Sequence, residues 1–200
     1  MKSFSVAAAP ALSSALALAQ APAAPTERLR GSVVSFDAST LVMKERSGQT
    51  VTLSLDEKFS VNEVVPIEVG AIKSGSYIGT AAQTQPDGSL RALEVLVFPE
   101  PQRGTGEGHR PWDLEPNSTM TNATVAEFVA APQGRTMKLR YKDGEKTVIV
   151  PDGVPIVTFA PGDATPLVPG AKVIVTATQR DGKPAALRAS AGRNGFAPPM

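Results

Sequence analysis

Cysteine is absent from this 200-residue chain. No disulfide can staple it, no thiol can serve as nucleophile or metal ligand, and no lipidated cysteine can tether it to a membrane. Histidine and tryptophan occur once each, as His109 and Trp112, and aromatic residues make up only 5% of the chain. A platform for stacking bases or sugars needs several rings on one sheet face, which this inventory can hardly supply. No apolar run reaches the roughly 20 residues of a membrane-spanning helix. An excess of one charge is missing too: 20 basic residues face 19 acidic ones. Nothing therefore resembles an electrostatic footprint for nucleic acid.

What is present begins with a leader. Lys2 supplies a positive start, an Ala-rich apolar stretch covers 4–18, and Ala17-Leu18-Ala19 is a small-x-small cleavage pattern. That order of features predicts a signal peptide over 1–19, cut near Ala19, and a periplasmic or secreted destination. Loss of Lys2 leaves 19 residues of each sign, a mature charge near zero. Residues 20–28, opening with Gln-Ala-Pro-Ala-Ala-Pro, read as a flexible leader.

The rest of the chain says the same thing twice. Residues 75–88 (Gly-Ser-Tyr-Ile-Gly-Thr-Ala-Ala-Gln-Thr-Gln-Pro-Asp-Gly) and 170–182 (Gly-Ala-Lys-Val-Ile-Val-Thr-Ala-Thr-Gln-Arg-Asp-Gly) are matching hairpin halves. Each follows three short strand signals: 29–36, 40–44 and 50–55 in the first copy, 123–128, 136–141 and 146–151 in the second. Alternation in 41–44 and 51–55 predicts one inward face. The stretches 57–72 and 155–169 are irregular, with one helical turn possible at 71–74. Asp-Gly turns close both hairpins. Duplication at this period fixes architecture before any motif is weighed. The expectation is an all-β chain: two tandem, small, five-stranded OB-like barrels over 29–98 and 122–192, a structured linker over 99–121, and a tail over 193–200. A pair of open β-sandwiches has the same strand count. Phe36, Phe59, Phe128 and Phe159 read as core residues.

The linker does not repeat, and it holds the lone His109 and Trp112. Gly104, Gly106 and Gly108 alternate, which allows sharp turns or close approach to a partner. Trp112 has few apolar companions in its segment, so it is expected to anchor in the groove between the barrels. His109, Arg110 and Trp112 are the candidate ligand-binding residues. Glu107, His109 and Asp113 are the alternative, a set of ligand types suited to a divalent transition metal, although one imidazole and no second His or Cys make a thin site. Arg103 and Arg110 could instead pair with those carboxylates. Asn117-Ser-Thr and Asn122-Ala-Thr match the glycosylation pattern by chance composition. No Gly-x-Ser-x-Gly elbow and no phosphate loop is present. A paired-carboxylate glycosidase would require a groove that barrels this small scarcely offer. The chain is therefore expected to be no enzyme and to need no cofactor.

Gly104-Thr-Gly-Glu-Gly-His-Arg-Pro-Trp-Asp-Leu114 and Ser118-Thr-Met-Thr-Asn-Ala-Thr-Val125 resemble the central signature of a family of exported proteobacterial proteins. Leu139-Arg-Tyr-Lys-Asp-Gly144, Pro161-Gly-Asp163 and the ending Ala197-Pro-Pro-Met200 extend the resemblance over the mature chain. It implies tandem OB-like domains of unknown function. Some relatives bear a metal-transporter permease label, which without a spanning segment implies at most a soluble accessory to metal handling. The expected function is a non-catalytic binding or scaffolding module for a cell-envelope protein or polymer, with no nucleic-acid partner and no membrane anchor. The alternative is a periplasmic accessory binding a divalent metal near His109.

Overall fold

A computed structural model describes residues 25–132 and 134–199. The expected signal peptide at 1–19 and residues 20–24 of the leader lie outside the described residues. Residues 26–28 do not belong to a loose leader. They open the first strand, pairing Thr26 with Thr178, Glu27 with Ala177 and Arg28 with Thr176.

The described chain is all-β. Its strands are β1 Thr26–Phe36, β2 Thr40–Glu45, β3 Thr50–Pro66, β4 Tyr77–Thr84, β5 Leu90–Val97 and β6 Gly108–Pro111. β7 Ser118–Ala131, β8 Gly134–Tyr141, β9 Gly144–Val150, β10 Ile156–Pro161, β11 Lys172–Arg180 and β12 Lys183–Ala191 follow. Only two short 3-10 turns interrupt them, Val69–Ala71 and Glu100–Gln102. Among the described residues no helix is long and apolar enough to cross a membrane.

The expected alternation holds where it was clearest. Leu41, Met43 and Leu53 point inward and are fully buried, while their neighbours Lys44 and Thr52 are exposed. Turn chemistry holds as well. Asp181 and Gly182 both have positive φ, 51° and 73°. That backbone matches the twist of a two-residue hairpin and suits Asp-Gly. The irregular stretch 57–72 is different from its reading. Its first ten residues continue β3, which at 17 residues spans roughly 55 Å. The extension is bonded on both sides, parallel to β12 and antiparallel to β10. β10 likewise orders part of 155–169.

The strand pairing departs from the expected boundaries. β1, β2 and β3 form an antiparallel meander, but their barrel is closed by β11 and β12 from the far end of the chain. β12 lies parallel to β3 and completes a five-stranded closed barrel. β7, β8 and β9 form the corresponding meander of the second half and are flanked by β4 and β5 of the first. A short parallel contact, Leu90 with Val148 and Arg91 with Ile149, joins the ends of this second five-strand unit. Each half thus lends its closing hairpin to the other. β3 stays paired with β12 as far as Glu63 and ends at Pro66 beside β10, while β4 and β5 pair with each other and with the second meander.

Each unit has its own core. Val33, Leu41, Met43, Leu53, Val173 and Val175 fill the barrel. Ile78, Val95, Val125, Met137, Leu139 and Val148 fill the second unit. Phe36 and Phe59 pack on the former, 6.1 Å apart, and Phe128 on the latter, as expected for core rings. Phe159 does something else. It joins Val64, Leu96, Val157, Phe98 and Phe196 in a third cluster, where β3, β10 and β5 bridge the two units.

Candidate functional site

Beside that third cluster lies a cavity of about 250 Å³. Barrel strands contribute Arg28 and Arg188, the second unit contributes Phe98 and Asn122, and the linker contributes Arg110 and Trp112. Pro198 covers one side. The tail expected at 193–200 is tied down where it is described. Arg193 donates to Glu63 at 2.6 Å, Phe196 packs on the central cluster, and Pro198 is buried.

β6 sets which linker side chains reach the cavity. It pairs antiparallel with β7, Arg110 opposite Met120 and His109 opposite Thr121. Side chains alternate across a strand, so Arg110 and Trp112 share the inner side and His109 takes the outer one. The glycines make the approach possible: Gly104, Gly106 and Gly108 all have positive φ, at 85°, 56° and 127°. The loop they shape is pinned from three sides. Arg110 donates to the Gly106 carbonyl at 2.8 Å, and Thr105 O accepts from Asn122 Nδ2 at 2.9 Å and from the Tyr77 hydroxyl at 3.2 Å.

Trp112 has two guanidinium groups against its ring. Arg28 lies 3.7 Å from its ring centroid and Arg110 5.4 Å, within the range of cation–π attraction. Its indole Nε1–H is buried with no partner in the protein, and so is Asn122 Oδ1. Asn122 is only 5% exposed. It therefore has no room for a glycan, despite its sequence pattern. Gly79 lets it sit there, because a Cβ at that position would come within 2.8 Å of Asn122 Oδ1 and 3.2 Å of the Phe98 ring.

Charge in this region is one-sided. Arg30 reaches Asp113 with a two-pronged fork, 2.8 and 2.9 Å, and Arg28 adds a contact at 3.3 Å. Hydrogen bonding from Arg30, with both guanidinium charges nearby, pulls the Asp113 carboxyl down to about 2. Arg110 is held below its ordinary value by burial first and by Arg28 second, and it stays charged at any ordinary pH. Among the described residues neither Arg110 nor Arg188 has an acidic partner. The remaining carboxylate near Arg30 is Glu94 on β5. It is fully buried, both oxygens lack a partner, and burial pushes it up to about 8 against the pull of Arg30.

Of the expected ligand-binding residues, Arg110 and Trp112 are brought together and His109 is not. His109 Nδ1 bonds Thr121 Oγ1 at 2.8 Å on the outer flank, near Lys146. Burial, and then the charges of Lys146 and Arg110, hold its pKa below the ordinary value. The alternative set is dispersed as well. Glu107 accepts from the Lys142 amide at 3.0 Å, and Asp113 is taken by Arg30. No group of three or more His, Cys, Asp or Glu positioned to hold a metal ion occurs among the described residues. Neither Arg103 nor Arg110 pairs with those carboxylates: Arg103 takes Glu100 instead, at 2.6 Å.

Arg28, Arg30, Glu94, Asn122 and Arg188 escape the sequence reading. Glu94 alone left a signal there: it is a single carboxylate inside Leu90-Arg-Ala-Leu-Glu-Val-Leu-Val97. The arginines lie on strands whose partners only the exchanged pairing reveals. No protein-family model, curated protein or solved structure matches the chain.

Proposed function

We propose that this protein is a non-catalytic binding module of the cell envelope, exported by its leader, with its ligand site in the cavity between the two five-strand units. Both units follow one plan, a three-strand meander closed by a hairpin with one parallel contact, and we read both as OB-like barrels. One observation carries the binding reading. Trp112 and Asn122, whose buried Nε1–H and Oδ1 have no protein partner, both line one apolar cavity. Leaving such groups unpaired costs roughly 1–3 kcal/mol each. Pockets that bind small molecules have this composition, an apolar wall with a few convergent polar groups. In this reading Trp112 also docks the units, since Arg28 of β1 and Arg110 of β6 both lie on its ring.

The test is the indole resonance of Trp112 in a 15N-correlated NMR spectrum, which is free of overlap because the chain has one tryptophan. A mixture of small polar and apolar fragments should move that peak and the Asn122 side-chain amide together, leaving the His109 flank unmoved. If bound fragments shift only residues distant from the cavity, the site assignment is wrong.

A further inference from the structure

The cavity also says what kind of molecule it takes. Its lining includes Arg28, Arg110 and Arg188, and no Asp or Glu. Arg28 shares the Asp113 carboxylate with Arg30, while Arg110 and Arg188 have no acidic partner among the described residues. Arg110 is half-buried while Arg28 and Arg188 are exposed, and guanidinium groups of one sign gathered around a half-closed cleft attract an anion. Guanidinium favours carboxylate, which accepts its fork of donors in two parallel bonds. The opposite wall is hydrocarbon: Val64, Leu96, Phe98, Met120, Val157 and Phe159. An ion with a full hydration shell, such as free phosphate, would leave that wall unused. The volume, about 250 Å³, holds about eight waters at ~30 Å³ each. It therefore suits a ligand of roughly eight to ten non-hydrogen atoms.

We propose that the cavity binds a small monocarboxylate with a compact apolar body, a cyclic, branched or aryl carboxylate. The carboxylate lies against Arg110 and Arg188, and the hydrocarbon lies on Phe98, Leu96 and Val157. This assignment rests on the cavity being the ligand site.

The experiment uses the protein without its leader and three cyclohexyl probes: cyclohexanecarboxylate, cyclohexylmethanol and cyclohexylammonium. Inorganic phosphate is the fourth. The readouts are the Trp112 indole peak and intrinsic emission. The carboxylate is expected to move both saturably, with at least ten-fold higher affinity than the alcohol and no detectable binding of the ammonium ion. R188Q should weaken carboxylate binding at least ten-fold and leave alcohol binding unchanged, with R188K recovering part of the loss. Unchanged alcohol binding also shows that the variant is folded. Equal affinity for alcohol and carboxylate would overturn the anion assignment while the cavity stands as a site. Phosphate binding as tightly as the carboxylate would overturn the apolar half. If no probe of any charge reaches Trp112, both this assignment and the site reading fall.

Discussion

Replacing Glu94 with Gln should make the protein more stable at neutral and alkaline pH, by an amount that grows with pH. Glu94 is fully buried on β5, and neither oxygen has a protein partner. Burial raises its pKa from 4.5 to about 8, with Arg30 pulling weakly the other way. Below pH 4.5 the carboxyl is protonated in both folded and unfolded chains and costs nothing electrostatically. Between pH 4.5 and 8 the unfolded chain ionises while the folded one resists, so stability falls by about 1.4 kcal/mol per pH unit. Above pH 8 both forms are charged and the loss levels off. The accumulated loss is about 3 kcal/mol at pH 7 and nearly 5 kcal/mol at the plateau, a large share of the 5–15 kcal/mol typical of a folded domain. Gln does not titrate. Its amide carries its own burial cost, but that cost is constant with pH. The measurement is urea denaturation of wild type and E94Q at pH 4.5, 7 and 8.5. The stability difference should shift in favour of E94Q by about 3 kcal/mol from the first to the second and more by the third. A difference that stays within about 1 kcal/mol across this range would refute the burial argument, because it would mean that Glu94 is solvated in the folded protein.

Two further outcomes follow from the same interface. Asp113 is the opposite case, a carboxylate pulled down to about 2: its contribution is fully present above its ordinary value near 3.8 and disappears as pH falls toward 2. With the side chain 48% exposed, solvent screening reduces this to about 1 kcal/mol, so D113N should lose that much at pH 6 in urea titrations and match wild type near pH 2. The exchanged hairpins make the halves interdependent: fragments 25–98 and 108–199, mixed after separate unfolding, should regain the amide spectrum of the whole chain. Native-like spectra from each fragment alone would show that the hairpins close their own halves.

The sequence by itself determined the local chemistry. Alternation in β2 and at the start of β3 follows from one buried face, and Asp181-Gly182 makes its turn because those two residues tolerate positive φ. The isolation of Trp112 in its segment was legible for the same reason: it is a property of neighbouring residues. The partner of each hairpin was not legible. β4–β5 and β11–β12 carry similar patterns, so their local sequence does not say which meander each completes, and only the tertiary pairing does. The site depends on that decision. Arg28, Arg188 and Asn122 are 66 to 160 residues apart in pairs and look ordinary in their own strands, but exchange brings them to one cavity. His109 is parted from Arg110 and Trp112 for a smaller reason: it is adjacent to Arg110 in sequence, yet pairing of β6 with β7 sends neighbouring side chains to opposite faces. Composition and spacing report on what lies within a few residues. Which distant strands meet is set by the balance of core packing and chain reach over the whole molecule, and here that balance makes the cavity.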